Sequence, residues 1–155
     1  MEIHEGGCSV GDVRYHITDE PLFTHACHCK LCRRYTASAF VVHPLIEASN
    51  FVIDKGKLIT TVGPSGIGSG HSIQRCERCG DQIFSYFAAI GTDQILFFET
   101  TTLDNAENFP SLVHIFTKSK LSWVALGTDI PSFDEFCDRD ELYSKRSLER
   151  RSKFN

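Results

Sequence analysis

Along most of the chain, apolar positions alternate with polar ones or come in short runs closed by Gly, Pro, Asp or Asn. In DVRYHIT, residues 12–18, Val13, Tyr15 and Ile17 alternate with Arg14, His16 and Thr18, the period of two that marks a strand with one buried face. By the same pattern strands are predicted in SAFVVHP (38–44), NFVIDKG (50–56), KLITTVG (57–63), HSIQR (71–75), QIFSYFA (82–88), QILFFETTTL (94–103) and SLVHIF (111–116). So many short strands predict a mainly β domain. The glycine-rich GPSGIGSG, residues 63–70, precedes a strand rather than a helix and is closed by no Lys-Ser or Lys-Thr. It therefore reads as a hairpin connection and not as a phosphate loop.

The pattern changes near the end. Pro131 and Ser132 precede FDEFCDRDELYSKRSLERR, and Glu135 stands three residues after Ser132. That capping box predicts a C-terminal helix with Phe133, Phe136 and Cys137 on its apolar face. A shorter helical turn is predicted after Cys32, through RRYTA. The expected organisation is one domain over residues 1–131, with the helix and a basic tail over 132–155 packed on it or trailing from it.

A chain of 155 residues suffices for one domain with a real core. The net charge of −4 gives no broad footprint for nucleic acid or an anionic membrane surface. The local exception is the cluster Lys145, Arg146, Arg150, Arg151 and Lys153, read as a solvated helix end. The opening MEIHEGGCSV lacks a charged stretch followed by an apolar run, and no segment reaches the roughly 18 apolar residues of a membrane span. A cytoplasmic protein is expected. In that compartment thiols stay reduced, so clustered cysteines point to metal ligation or catalysis before disulfides. The cysteine count of seven is odd and also resists complete pairing.

Six of the cysteines fall into two groups. HACHCKLCRR, residues 25–34, brings Cys27, Cys29 and Cys32 within six positions, and CERCG supplies Cys76 and Cys79, which join naturally with Cys8 in GGCSVG. A C-x-x-C followed by glycine is a metal knuckle, because the tight turn aims backbone amides at the sulfurs. Soft thiolates favour Zn²⁺, with iron as the main competitor, and one or two zinc ions per chain are expected. Structural zinc takes four protein ligands, whereas catalytic zinc keeps three and an open position. The set Cys27, Cys29 and Cys32 has the catalytic number. In an extended stretch Cys27 and Cys29 project to one side, a turn at Lys30 and Leu31 returns Cys32, and His28 points away. Cys137 reads as a plain core cysteine. His25, His28, His43, His71 and His114 have no spacing that singles them out, and read as surface or strand residues.

GGCSVGDVRY, CHCKLCRR, CERCG and TTLDNAENFPSLVHIFTKSKLSW, taken together over about residues 6–131, resemble the glutathione-dependent formaldehyde-activating enzyme family, which shares its domain with centromere protein V. In the last segment Leu103, Asp104, Pro110, His114, Ile115, Phe116, Lys120 and Trp123 fall in the family's order. The resemblance implies an Mss4-like zinc-binding fold of antiparallel sheets. It also implies a structural zinc on a C-x-C and the later C-x-x-C, which map onto Cys8, position 10, Cys76 and Cys79. Position 10 is Val10, so this site lacks its fourth ligand. The second zinc maps completely onto Cys27, Cys29 and Cys32. Ala37 replaces a usual glycine and Arg75 a frequent aromatic, and both are expected to reshape the substrate pocket.

The activity so implied is a carbon–sulfur lyase of the S-(hydroxymethyl)glutathione synthase type, adding a thiol such as glutathione to formaldehyde or another small aldehyde. Cys27, Cys29 and Cys32 would form the catalytic open site. Lys30, Arg33 and Arg34 stand ready to attract a peptide thiol's carboxylates, or are plain solvated charges. The partners expected are a small thiol and a small aldehyde, with no nucleic acid and no membrane. The alternative is a zinc-stabilised protein-binding module without catalysis.

Overall fold

A computed structural model describes residues 3–66, 68–87 and 93–154. Ala88, the end of one expected strand, and Ile67 of the glycine-rich connection lie outside them. Among the described residues, ten strands form two sheets. The smaller has the order β1 (His4–Gly7), β2 (Arg14–Ile17), β5 (Phe51–Lys55), all antiparallel. The larger has the order β10 (His114–Ile115), β3 (Phe23–Cys27), β4 (Val41–Glu47), β9 (Ile95–Phe98), β8 (Gln82–Phe87), β7 (His71–Cys76), β6 (Leu58–Gly63). It is mixed rather than wholly antiparallel, because β10 runs parallel to β3. The glycine-rich segment joins β6 to β7 as a hairpin.

The alternation in DVRYHIT takes the predicted form, with Val13, Tyr15 and Ile17 fully buried. They meet Ile46, Phe51, Ile83, Leu96 and Phe98 in the main core. Such burial is worth about 1.5–3 kcal/mol for each large aliphatic or aromatic side chain. The fit is close at Gly6, where a Cβ would fall 2.5 Å from the Tyr15 ring and 2.6 Å from the Thr102 carbonyl. Only glycine lets β1 lie there. The expected strand over 94–103 is shorter: β9 ends at Phe98, and Thr100–Thr102 is a 3₁₀ turn.

Two strands escape the pattern, β1 and β3. In β3 the sequence FTHAC is buried on both sides of the sheet except at His25, so no clean alternation is left to read. The helical turn after Cys32 is α1, Lys30–Thr36, capped by Cys29 and closed by Ala37 in the left-handed conformation at φ 50°. A residue in that position strongly favours glycine.

The capping box at Ser132 and Glu135 does not form. Instead residues 131–135 run beside β10: His114 N–H donates to Pro131 O at 2.9 Å, Phe133 N–H to His114 O at 2.9 Å, and Phe116 N–H to Glu135 O at 3.0 Å. The unpaired edge of β10 offers more backbone hydrogen bonds than one helix cap, and edge pairing wins. The single helix expected over 133–151 is therefore two short ones, α2 (Arg139–Leu142) capped by Asp138 and α3 (Lys145–Arg151) capped by Ser144. Nor is the basic tail solvated throughout. Arg150 makes a two-pronged ion pair with buried Glu47, at 2.8 and 2.5 Å, and Arg146 reaches Asp19 at 2.6 Å.

Candidate metal centre

Two hairpin turns build the first cysteine group. After β1 the chain turns through residues 8–13, where Cys8 N–H donates to Val13 O and Gly11 N–H to Cys8 O, while the Val13 amide donates to Cys8 Sγ at 3.2 Å. Between β7 and β8, Gly80 N–H returns to Cys76 O at 2.9 Å, with Gly80 at φ 81°. The two turns are tied by Ser9 N–H donating to Asp81 Oδ2 at 2.7 Å and by Arg78 on Asp12 at 3.1 Å. Ligand atoms of Cys8, Cys76 and Cys79 lie within 4.8 Å of one another. Val10 is half exposed and contributes an isopropyl group, no ligand. Beside the group stands Asp81, whose pKa is held below its ordinary value chiefly by Ser9, with Cys79 adding to the effect.

The second group is assembled by one strand end and one helix start. Cys27 closes β3, in register with Val41 on β4 and Ile115 on β10. Cys29 caps α1 by accepting from Cys32 N–H at 3.3 Å, and Cys32, in the first turn, is carried back toward both. The three sulfurs lie within 4.8 Å of one another. His28 points away, as the alternation requires, and its Nε2 meets His114 Nδ1 at 3.0 Å.

Thiols packed this tightly cannot all ionise alone. The Cys27 and Cys32 thiols donate to Cys29 and hold its pKa far down, whereas Cys27 and Cys32 are themselves pushed up. A soft dication would let all three sulfurs ionise and replace the S–H···S contacts by bonds, so the residues present fit a metal in both groups.

Both groups border a cavity: Cys8 lines one of about 710 Å³ with Tyr35, Ala37, Arg75, Asp81 and Glu99, while all three cysteines of the second group line another. The latter, of about 370 Å³, is lined by Cys27, Cys29 and Cys32 together with Phe23, His25, His43, Phe97, Phe116, Phe136, Cys137, Arg139, Tyr143 and Arg151. Its size falls within the roughly 300–1,000 Å³ of small-molecule sites. His25 and His43 are directly opposed across β3 and β4. Burial lowers their pKa values to about 4 and about 3, so both present neutral imidazoles. His43 Nδ1 also lies 3.5 Å from Oε1 of buried Glu99.

Lys30, Arg33 and Arg34 do not line this cavity, and Ala37 and Arg75 line the other one, together with Cys8. Arg75 holds Tyr35 O at 2.8 Å and Gly80 O at 3.2 Å. Cys137 is only half-buried and belongs to the cavity wall rather than the interior of a helix face. His25 was missed, although it stands two residues before Cys27 and so shares its strand face. The residues from 136 onward carry no sequence signal for this cavity.

A family model for glutathione-dependent formaldehyde-activating enzymes matches residues 3–119. The solved structure of a Rhodobacter sphaeroides protein is similar at 16% identity, over 83% of this chain and 99% of that one, with a TM-score of 0.49. No curated protein matches the chain.

Proposed function

We propose, from the premise that this chain belongs to the glutathione-dependent formaldehyde-activating enzyme family, that it adds a small thiol to formaldehyde or a similar aldehyde at the cavity floored by Cys27, Cys29 and Cys32. The observation that carries this reading is the convergence of those three sulfurs, and no fourth protein ligand among the described residues, at the base of an open cavity. Cys27, Cys29 and Cys32 would hold a zinc ion, and Cys8, Cys76 and Cys79 a second, structural one. A zinc ion held by Cys27, Cys29 and Cys32 would supply Lewis acidity that keeps an incoming thiol ionised at neutral pH, against a free-thiol pKa of about 8.5.

The protein's own residues do the rest. The apolar wall of Phe23, Phe97, Phe116 and Phe136 excludes water from the nucleophile and from an aldehyde that water would otherwise hydrate. Neutral His25 and His43 offer hydrogen bonds to the aldehyde oxygen without adding a positive charge that would compete for the thiolate. In the addition the sulfur–carbon bond forms as the carbonyl π bond opens, and the proton lost from the thiol ends on the oxygen. The product is the S-hydroxymethyl thioether alcohol, and no other reactant is needed.

Metal analysis together with exchange NMR on glutathione and formaldehyde tests this. The expected result is one to two zinc ions per chain and an adduct exchange rate raised above the uncatalysed one, lost in Cys29→Ser. Metal-loaded protein that leaves the exchange rate of every thiol and aldehyde pair at background would overturn it.

A further inference from the structure

Among the described residues the buried carboxyl groups are those of Glu47 and Glu99, and they are satisfied differently. Glu47 is met by the Arg150 guanidinium. Glu99 is met by an amide and an imidazole: its Oε1 accepts from Gln82 Nε2 and lies 3.5 Å from His43 Nδ1. The Arg75 guanidinium is taken up by Tyr35 O, Gly80 O and Gln82 Oε1.

The sheet accounts for the placement. Leu45 of β4 faces Phe97 of β9, and the same antiparallel register carried two residues on sets His43 opposite Glu99. His43 in turn faces His25 across β3, and Gln82 of β8 faces Arg75 of β7. A row of polar side chains, His25, His43, Glu99, Gln82 and Arg75, thus crosses the sheet from β3 to β7. The two imidazole centroids are 5.8 Å apart, and Arg75 Nη2 donates to Gln82 Oε1 at 3.3 Å. The ends of the row border different spaces. His25 and His43 line the cavity over Cys27, Cys29 and Cys32, whereas Glu99, Gln82 and Arg75 line the one beside Cys8.

Burying polar groups across a sheet is costly unless they bond one another, and an ionised carboxylate with no cation bonded to it is costlier still. Burial raises the Glu99 pKa to about 8, so the carboxyl carries a proton at neutral pH. A protonated carboxyl oxygen can accept from Gln82 and donate to His43 Nδ1, and an imidazole that accepts at Nδ1 keeps its own proton on Nε2. The other titratable groups that act on this pair are Arg75, His25, His71, Cys29 and the Tyr15 hydroxyl, the last bonded to Thr102.

We propose that His43 and Glu99 store the proton that the thiol gives up and deliver it to the aldehyde oxygen. This rests on the thiol-addition reading above and adds Glu99 as a positioning residue that acts through His43. In the loaded pair Glu99 holds its proton toward Nδ1 and His43 holds one on Nε2. As the sulfur–carbon bond forms, the Nε2 proton passes to the carbonyl oxygen and the Glu99 proton passes to Nδ1, leaving a carboxylate. The next thiol reloads the pair, its proton passing to Nε2 while the Nδ1 proton returns to Glu99. In each turnover one proton leaves sulfur and one arrives on oxygen. The cavity beside Cys8 lets Glu99 exchange with solvent when no thiol is bound.

Two measurements on the metal-loaded protein test this. The first is exchange NMR with glutathione and formaldehyde across the range from about pH 6 to about pH 10. The wild-type rate above background should fall as pH rises through about 8, where the pair unloads. Glu99→Gln, nearly the same in size, should lower the rate about 100-fold, the value of one proton donor in the transition state, and should lack that fall. The second needs no aldehyde and reads infrared difference spectra on adding 2-mercaptoethanol at about pH 9, above the ordinary carboxyl range. Thiol binding should bring up the carbonyl band of a neutral carboxylic acid in the wild type and not in Glu99→Gln. A wild-type spectrum without that band, or a Glu99→Gln rate and pH profile equal to the wild type's, would overturn the proposal and leave thiol addition standing. The Glu99-dependent band in a protein that leaves every exchange rate at background would support the proton store and remove the thiol-addition reading.

Discussion

Cys29 has two duties that a single substitution separates. Its sulfur is one of three that converge, and it also caps α1 by accepting from Cys32 N–H at 3.3 Å. Serine is a good N-cap but a poor zinc ligand at neutral pH. Cys29→Ser is therefore expected to keep α1 and cost about 1 kcal/mol or less, while metal at that site is lost. Cys76 has no such substitute: it is fully buried in the main core, at the turn where β7 meets β8. Cys76→Ser removes a proposed metal ligand and buries a hydroxyl, and is expected to cost more than about 4 kcal/mol, the range reserved for lost metals and unsatisfied buried groups. Urea unfolding of both variants, with metal content measured on the same samples, checks the contrast. Equal losses of stability would make the Cys27, Cys29 and Cys32 group structural.

At the scale of elements, the C-terminal helices depend on one buried ion pair. Glu47 ends β4 and Arg150 lies on α3, with side chains 8% and 12% exposed. Burial pushes the Glu47 carboxyl up, but the hydrogen bonds from Arg150 outweigh it and hold the pKa below its ordinary value. Removing one partner of such a pair costs about 3–5 kcal/mol. Arg150→Met should therefore destabilise the protein by about that amount and expose the backbone amides of α3 to hydrogen exchange before those of β8. Unchanged α3 protection in the variant would show that Tyr143 and Phe23 hold the element without it. The pair was invisible in the sequence, since Glu47 and Arg150 stand 103 residues apart and each looks like an ordinary surface charge. Two short helices in place of one had the same cause, because the partner that displaced the capping box was the distant edge of β10.

For the whole molecule, Glu99 supplies a pH dependence of stability. It follows β9, is 6% exposed, and accepts from Gln82 Nε2. Burial raises its pKa from 4.5 to about 8, against the smaller opposing pulls of Gln82 and Arg75. A carboxyl whose folded pKa lies above its unfolded one keeps a proton that the unfolded chain has released. Between those two values the native state binds more protons, so the contribution of Glu99 to stability is complete below about 4.5 and is lost as pH rises toward about 8. Buried neutral His25 and His43 act in the opposite direction over the same interval, so the effect of Glu99 is read as a difference: between about pH 5 and about pH 8, denaturant unfolding should show stability changing more favourably in Glu99→Gln than in the wild type. A Glu99→Gln protein with the same slope as the wild type would mean that Glu99 is already ionised in the folded state.

The sequence by itself determined the mainly β character, the two cysteine groups and the family. These rest on local matters: side-chain alternation, the spacing that allows thiols to share a turn, and motifs read in order along the chain. Even the joining of Cys8 to Cys76 and Cys79 was legible there, through the order of the family's motifs. What only the tertiary structure decided is where those groups open and what faces them. The cavity over Cys27, Cys29 and Cys32 takes its walls from β3, β4, β9 and the C-terminal helices, and the side chains that meet there are more than 100 residues apart in the chain. Lys30, Arg33 and Arg34 looked suited to bind substrate because they are near the triplet in sequence, yet α1 turns them out of the cavity. Arg151 looked like part of a solvated tail, yet docking of α3 buries it in the cavity wall. Proximity along a chain carries information about turns and ligand spacing, whereas the direction in which a charged side chain is buried depends on contacts that exist only after distant strands and helices have packed.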